Sequence, residues 1–192
     1  MSGKPDPRRS FQAGVSNNLG HTFEDAIKQG CAVYAQRGRA KIDKTPEPFW
    51  VMEKKSAGVF TGRFTAHAQP DFQGTLDGGR SIIFEAKYTV AGRMKRNVLT
   101  DNQMAVLEDH HRKGALAGVC VGIQSRFFFV PWPVWRDMKK LTGRVSVTAD
   151  DLAAFEVKFN GAVLFLDYLG PARGPWIEGR GCNINRWREK SC

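Results

Sequence analysis

No run of apolar residues in this chain approaches the roughly 18 that a membrane-spanning helix needs. The opening stretch MSGKPDPRRSFQAG also lacks the apolar core of a secretory signal. Both absences point to a cytoplasmic protein with no membrane partner. Cysteine is scarce: Cys31, Cys120, Cys182 and Cys192 include no CxxC pair. The four histidines show no zinc-ligand spacing, so neither a disulfide framework nor a structural zinc is expected. Cys31 and Cys120 lie in apolar contexts and read as small core residues. Acidic residues are the minority among the charges, 19 against 29 Lys and Arg, and the formal net charge is +10. Such a surplus implies a polyanionic partner, and with membranes set aside that partner is nucleic acid.

What is present suits one globular domain: 192 residues, 42% of them hydrophobic and 25% charged. Residues 1–16 are rich in Pro, Arg and Ser and read as a flexible basic arm. Residues 17–170 read as the folded domain, and 171–192, rich in Gly, Pro and Arg, as a tail. The domain opens with a helix near Leu19 to Gln36, with Phe23, Ile27, Cys31 and Tyr34 on one face. Strands follow at FWVMEK and GVFTGRFTAH. The segment DFQGTLDGGRSIIFEAKYT reads as a hairpin turning at Asp77-Gly78-Gly79. A helix is expected near Asp101 to Lys113, with Thr100 and Gln103 spaced as a capping box. Beyond it lie strands ALAGVCVGIQ and RFFFVP, short helices PVWRDMKKL and TADDLAAFEV (the latter capped by Thr148), and a last strand AVLFLDYL. This order argues for an α/β fold, a mixed central sheet flanked by helices.

The chemistry concentrates in the hairpin. Asp71 starts its first strand, and Glu85 and Lys87 end its second. Antiparallel pairing brings those two ends together. Glu85 and Lys87 share a strand face because side chains alternate. The pattern is Pro70-Asp71, thirteen intervening residues, then Glu85-Ala86-Lys87. Two carboxylates brought close repel unless a cation lies between them, and a hard divalent ion with oxygen ligands, Mg²⁺ or Mn²⁺, resolves this. Such an ion activates water and neutralises charge on a phosphodiester. Lys87 would stabilise the transition state or orient the water. This is the PD-(D/E)xK nuclease pattern. The plainer alternative is a strand turning polar as it leaves the core. The adjacent His110 and His111 face different ways on a helix and are not read as metal ligands, nor are His21 and His67. Phe127-Phe128-Phe129 reads as core strand.

Five separated blocks resemble, in order and spacing, the RecU family of Holliday junction resolvases. They are GRAKIDKTPEPF, PDFQGTLDGGRSIIFEAKYT, DNQMAVLEDHHRKGALAGVCVGI, FFFVPWPVW and LDYL, and the likeness covers roughly Gly20 to Leu169. The resemblance implies a restriction-endonuclease-like core with a protruding stalk segment at about 54–69. It also implies a homodimer that depends on Mg²⁺, uses no small-molecule cofactor and cuts four-way junction DNA by paired symmetric nicks. Carried over by position, Asp71 and Glu85 match the acidic metal ligands and Lys87 the transition-state lysine. Gln103 matches a metal-associated glutamine and Glu24 a glutamate of the first helix. Gln103 could instead serve only the cap, and Glu24 only a solvated helix face. The family commonly carries a threonine two residues before the first aspartate, where this chain has Gln69.

DNA contacts are expected from Phe60, Arg63 and Phe64 on the stalk, with His67 nearby. Others are expected from Arg93, Lys95 and Arg96 in the loop after the catalytic lysine, and from Arg39 and Lys41. Two other readings stand beside the resolvase. One is a PD-(D/E)xK endonuclease acting on duplex or flapped DNA; the other is a non-catalytic DNA-binding module of the same fold.

Overall fold

A computed structural model describes residues 7–46, 49–56, 59–64 and 69–169. Five strands form one sheet in the order β1-β4-β5-β7-β8: β1 (Ala40–Lys44), β4 (Phe72–Leu76), β5 (Ser81–Thr89), β7 (Leu116–Ile123) and β8 (Arg126–Pro131). All neighbours are antiparallel except β5 and β7, so the sheet is mixed. The parallel pair needs a crossover, and α2 (Asp101–Arg112) supplies it. β7, LAGVCVGI, is buried at every residue, as a strand covered on both faces must be.

Two apolar layers cover the sheet. On one face α1 (Pro7–Gln36) buries Phe23, Ile27, Cys31 and Tyr34 against Phe72, Phe84, Cys120 and Phe129. On the other, Leu107 of α2 packs with Ile83, Val119 and Val121, joined by Trp132, Trp135 and Met138 of α3 (Trp132–Arg136) and α4 (Met138–Thr142). The expected α/β architecture, a mixed sheet between helices, is therefore present.

The central hairpin turns as its glycines predict: Gly78 and Gly79 have φ of 81° and 83°. Gly74 has a different job. A Cβ there would lie 2.0 Å from the Lys41 carbonyl oxygen, so its absence lets β1 close against β4. β2 (Phe49–Lys54) and β3 (Phe60–Phe64) form a separate two-stranded ribbon, inserted between β1 and β4. Trp50 and Met52 on it are exposed.

Several elements differ from the sequence expectation. α1 begins at Pro7 and not near Leu19, so much of the stretch read as a flexible arm continues the helix. The segment after Lys87 was expected to be a loop, but it holds β6 (Arg93–Lys95), paired with β9 (Ser146–Thr148). PVWRDMKKL splits into α3 and α4 about Asp137. TADDLAAFEV forms no α-helix. Thr148 Oγ1 accepts from the Asp151 N–H and Asp151 Oδ2 accepts from the Thr148 N–H, which closes a tight turn. Only Ala153–Phe155 then makes a 3-10 turn before β10 (Val157–Phe159) pairs with β11 (Val163–Tyr168). Cys31 and Cys120 are buried core thiols; Cys182 and Cys192 lie outside the described residues, as does the rest of the 171–192 tail. Among the described residues no helix is long and apolar enough to cross a membrane.

Candidate active site

Strand register builds the site. Phe72 pairs with Phe84, so one step further sets Asp71 opposite Glu85. Phe72 and Phe84 belong to the core beneath α1, so by alternation Asp71, Glu85 and Lys87 project on the α2 side. The side chains meet there. Asp71 Oδ2 accepts from the Ala86 N–H at 2.9 Å, which fixes the first carboxylate to the second strand's backbone. Lys87 Nζ lies 3.7 Å from Asp71 Oδ2 and 3.2 Å from Glu85 Oε2.

α2 contributes the fourth member. Thr100 and Gln103 make the expected capping box: the Gln103 N–H donates to Thr100 Oγ1, and Gln103 Oε1 accepts from the Thr100 N–H at 3.1 Å. That leaves Nε2 to donate to Glu85 Oε2 at 2.6 Å. The cap and the site contact are therefore one structure: the helix start aims the amide at the carboxylate. In this arrangement the amide oxygen faces the cap, and the amide positions Glu85.

Glu85 is almost fully buried, with 1% of its side chain exposed. Burial, and next the Asp71 charge beside it, push its carboxyl up to about 8; Lys87 opposes the shift without cancelling it. The single ammonium between the two carboxylates offsets only part of that shift. Among the described residues no three His, Cys, Asp or Glu side chains gather into a metal cage. The donor set is instead two carboxylates beside water-accessible space, since Asp71 keeps 26% side-chain exposure. Hard oxygen donors in electrostatic conflict fit a hard divalent ion such as Mg²⁺.

Glu24 comes from a third element. It lies on α1, where Lys44 Nζ at the end of β1 takes its carboxylate in an ion pair. Lys44 pairs with Phe72, one register step from the row of Asp71 and Glu85. Lys44 itself was missed in the sequence. Its signal was a charge at the buried phase of a strand in which Ala40 and Ile42 are core. Gln69, in place of the family threonine, is exposed, whereas Pro70 is buried.

The expected DNA contacts divide. Arg93 and Lys95 are exposed on β6, while Arg96 Nε donates to the Arg136 carbonyl. Arg39 is held by Asp167 at 2.7 Å and lies over the Tyr34 ring, which makes it part of the α1–β11 packing. Lys41 is exposed and bonded to Asp43. Phe60, Arg63 and Phe64 have their backbone on β3; their side chains, and His67 entirely, lie outside the described residues.

On the mixed sheet Asp71 stands opposite Glu85, with Lys87 one alternation further along β5, the spacing of the PD-(D/E)xK pattern. A model of the family RecU, Recombination protein U, matches residues 18–173, and the chain belongs to that family of Holliday junction resolvases. No curated protein matches the sequence. Among solved structures, the chain is similar to Hjc from Archaeoglobus fulgidus, a Holliday junction resolvase from an archaeal hyperthermophile. That similarity has 15% identity and a TM-score of 0.39, and covers 65% of this chain and 87% of that one.

Proposed function

We propose that this crossover junction endodeoxyribonuclease resolves four-way DNA junctions as a homodimer, by paired symmetric nicks that depend on Mg²⁺ or, as a substitute, Mn²⁺. The observation that carries the reading is the pair of opposed carboxylates, Asp71 and Glu85, sharing a single ammonium on one sheet face. Asp71 and Glu85 would hold the ion, which when bound supplies a water of lowered pKa and positive charge against the scissile phosphate.

The chain's own groups act around it. The Ala86 N–H fixes the Asp71 carboxylate, and the Gln103 amide fixes Glu85, so neither must reorganise when substrate arrives. Lys87, partly exposed beside both, is placed to donate to a phosphate oxygen as negative charge develops there. The exposed Arg93 and Lys95 on β6, in the segment that follows β5, offer phosphate contacts that orient the backbone. Two copies of the site related by a two-fold axis match the near two-fold symmetry of junction arms. The same reading places the protein in the cytoplasm, where its DNA substrate is.

The test is a cleavage gel with a synthetic four-way junction and a linear duplex of the same sequence, each with Mg²⁺ and with EDTA. The expected result is two symmetric nicks in the junction, none in the duplex, and none in EDTA. Equal cutting of the duplex would make the protein a general endonuclease of the class, and cutting in EDTA would remove the metal from the mechanism.

A further inference from the structure

Thr45 stands where β1 ends and the chain leaves for the β2–β3 ribbon, and Asp71 stands where it returns. The Thr45 N–H donates to the Asp71 carbonyl at 2.9 Å, clamping the two roots of the ribbon together. Thr45 is buried, and its Oγ1 makes no hydrogen bond. Only His111 Nδ1 and Trp135 Nε1 share that condition among the described residues, and those two lie on α2 and α3. A buried hydroxyl with no partner is unfavourable, and Val would fill the same volume without that cost.

Register says where this hydroxyl stands. Lys44 pairs with Phe72, so the next step sets Thr45 opposite Asp71, and Asp71 is itself opposite Glu85. Directly opposed residues of antiparallel strands share a face, with Cβ atoms about 4.5–5.5 Å apart. Thr45, Asp71 and Glu85 therefore form one row across three strands, on the face that carries Lys87. Asp71 Oδ2 already takes the Ala86 N–H, but a carboxylate accepts more than one bond. A threonine side chain moves between staggered wells without moving its backbone, so one χ1 step re-aims the hydroxyl along the row.

We propose that Thr45 is a positioning residue of the active site: its hydroxyl donates to the Asp71 carboxylate, directly or through one water, and fixes that carboxylate for the divalent ion. The inference rests on the metal reading above. It makes β1, through a residue outside the nuclease motif, part of the ion's outer shell.

The test is calorimetric titration of Mg²⁺ into the DNA-free protein, comparing wild type, Thr45→Val and Thr45→Ser, with thermal unfolding of each in EDTA. Loss of an outer-shell hydrogen bond should weaken Mg²⁺ binding by about tenfold in Thr45→Val and leave Thr45→Ser within about twofold of wild type. The Val variant should be no less stable than wild type in EDTA, because the threonine hydroxyl has no partner before the ion binds. Wild-type Mg²⁺ affinity in Thr45→Val overturns the proposal, and so does an equal loss in Val and Ser, which would assign the effect to packing. If Thr45→Val does not fold, Thr45→Ala is titrated against Thr45→Ser with the same two readings. Absence of Mg²⁺ binding by wild type would instead overturn the metal reading itself, and this inference with it.

Discussion

Helix α2 touches two buried or half-buried carboxylates, and the fold treats them in opposite ways. At its start, Gln103 donates to Glu85, whose cationic neighbour is the Lys87 ammonium shared with Asp71. Two turns on, the helix's own Glu108 accepts from Trp132 Nε1 at 2.6 Å, from Arg136 at 3.1 Å and from Arg112 at 3.0 Å. The Trp132 hydrogen bond, followed by those from the two arginines, holds the Glu108 carboxyl down to about 2. Burial and the Asp71 charge push Glu85 up to about 8. This chain thus carries enough arginine to satisfy a carboxylate fully and does so where the job is joining α2 to α3. At Glu85 it supplies less cation than the carboxylates require. A deficit of that kind is one that a positive ligand would relieve.

The largest expected effect breaks the comparison by function. Asp71→Asn or Glu85→Gln should abolish junction cleavage while gel-shift binding of the junction survives. Glu108→Gln should cut at the wild-type rate, provided the assay temperature lies below its unfolding. Retained cleavage in either site variant would mean that the carboxylate pair is structural.

The next effect separates Lys87 from its neighbours. A charged group aimed at developing negative charge is typically worth about 3 kcal/mol, or roughly a hundredfold in rate. Lys87→Met should bind Mg²⁺ and junction close to normally and cleave at least about a hundredfold more slowly in single-turnover assays. A rate within about threefold of wild type would return Lys87 to the role of a polar strand end.

How much of this contrast could be read from the sequence follows from sequence distance. The Glu85 side is local: a single hairpin with Gly78 and Gly79 at its turn brings Asp71 to Glu85, and the Thr100–Gln103 cap is four residues long. Hydrophobic alternation and turn chemistry are enough for both. The Glu108 side depends on Trp132 and Arg136, which lie on α3, beyond β7 and β8 in the chain. No periodicity encodes that meeting. Thr45 and Lys44 were hidden for the same reason: β1 joins β4 across the whole β2–β3 insertion, and only that register sets Lys44 opposite Phe72 and Thr45 opposite Asp71. The strands β6 and β9 are three residues each, too short to show alternation, and their pairing spans some fifty residues of chain. The TADDLAAF segment misled because Thr148 and Asp151 look like a helix start but close on each other's backbone.

A smaller effect should have opposite sign at the two glutamates. In EDTA, Glu108→Gln should lower unfolding stability by about 1–2 kcal/mol, since it weakens charge-assisted bonds to Trp132 and Arg136. Glu85→Gln should leave stability unchanged or higher at pH 8, because the amide carries no charge for burial to penalise. Denaturant unfolding of both variants measures this directly.

The smallest effects are the two limbs of the pH profile in EDTA. Glu108, depressed from 4.5 to about 2, contributes stability that is fully present above pH 4.5 and is lost as pH falls toward about 2. Glu85, raised from 4.5 to about 8, contributes stability that is present below pH 4.5 and is lost as pH rises through about 8. Glu108→Gln should flatten the acid limb alone, and Glu85→Gln the alkaline limb alone. A profile in which either variant flattens both limbs would break the assignment.

The central claim, that the Glu85 cluster is built short of positive charge in order to hold a divalent ion, is tested most directly by titrating Mg²⁺ into DNA-free protein at pH 7. The titration is run in two buffers with different heats of ionisation. Burial and the Asp71 charge shift the Glu85 carboxyl toward its protonated form, so binding should release protons, and the observed heat should differ between the buffers. Wild type and Glu108→Gln should bind with this proton release, and Glu85→Gln should show no saturable binding. Mg²⁺ binding by Glu85→Gln equal to that of wild type, or wild-type heats identical in the two buffers, would contradict the account.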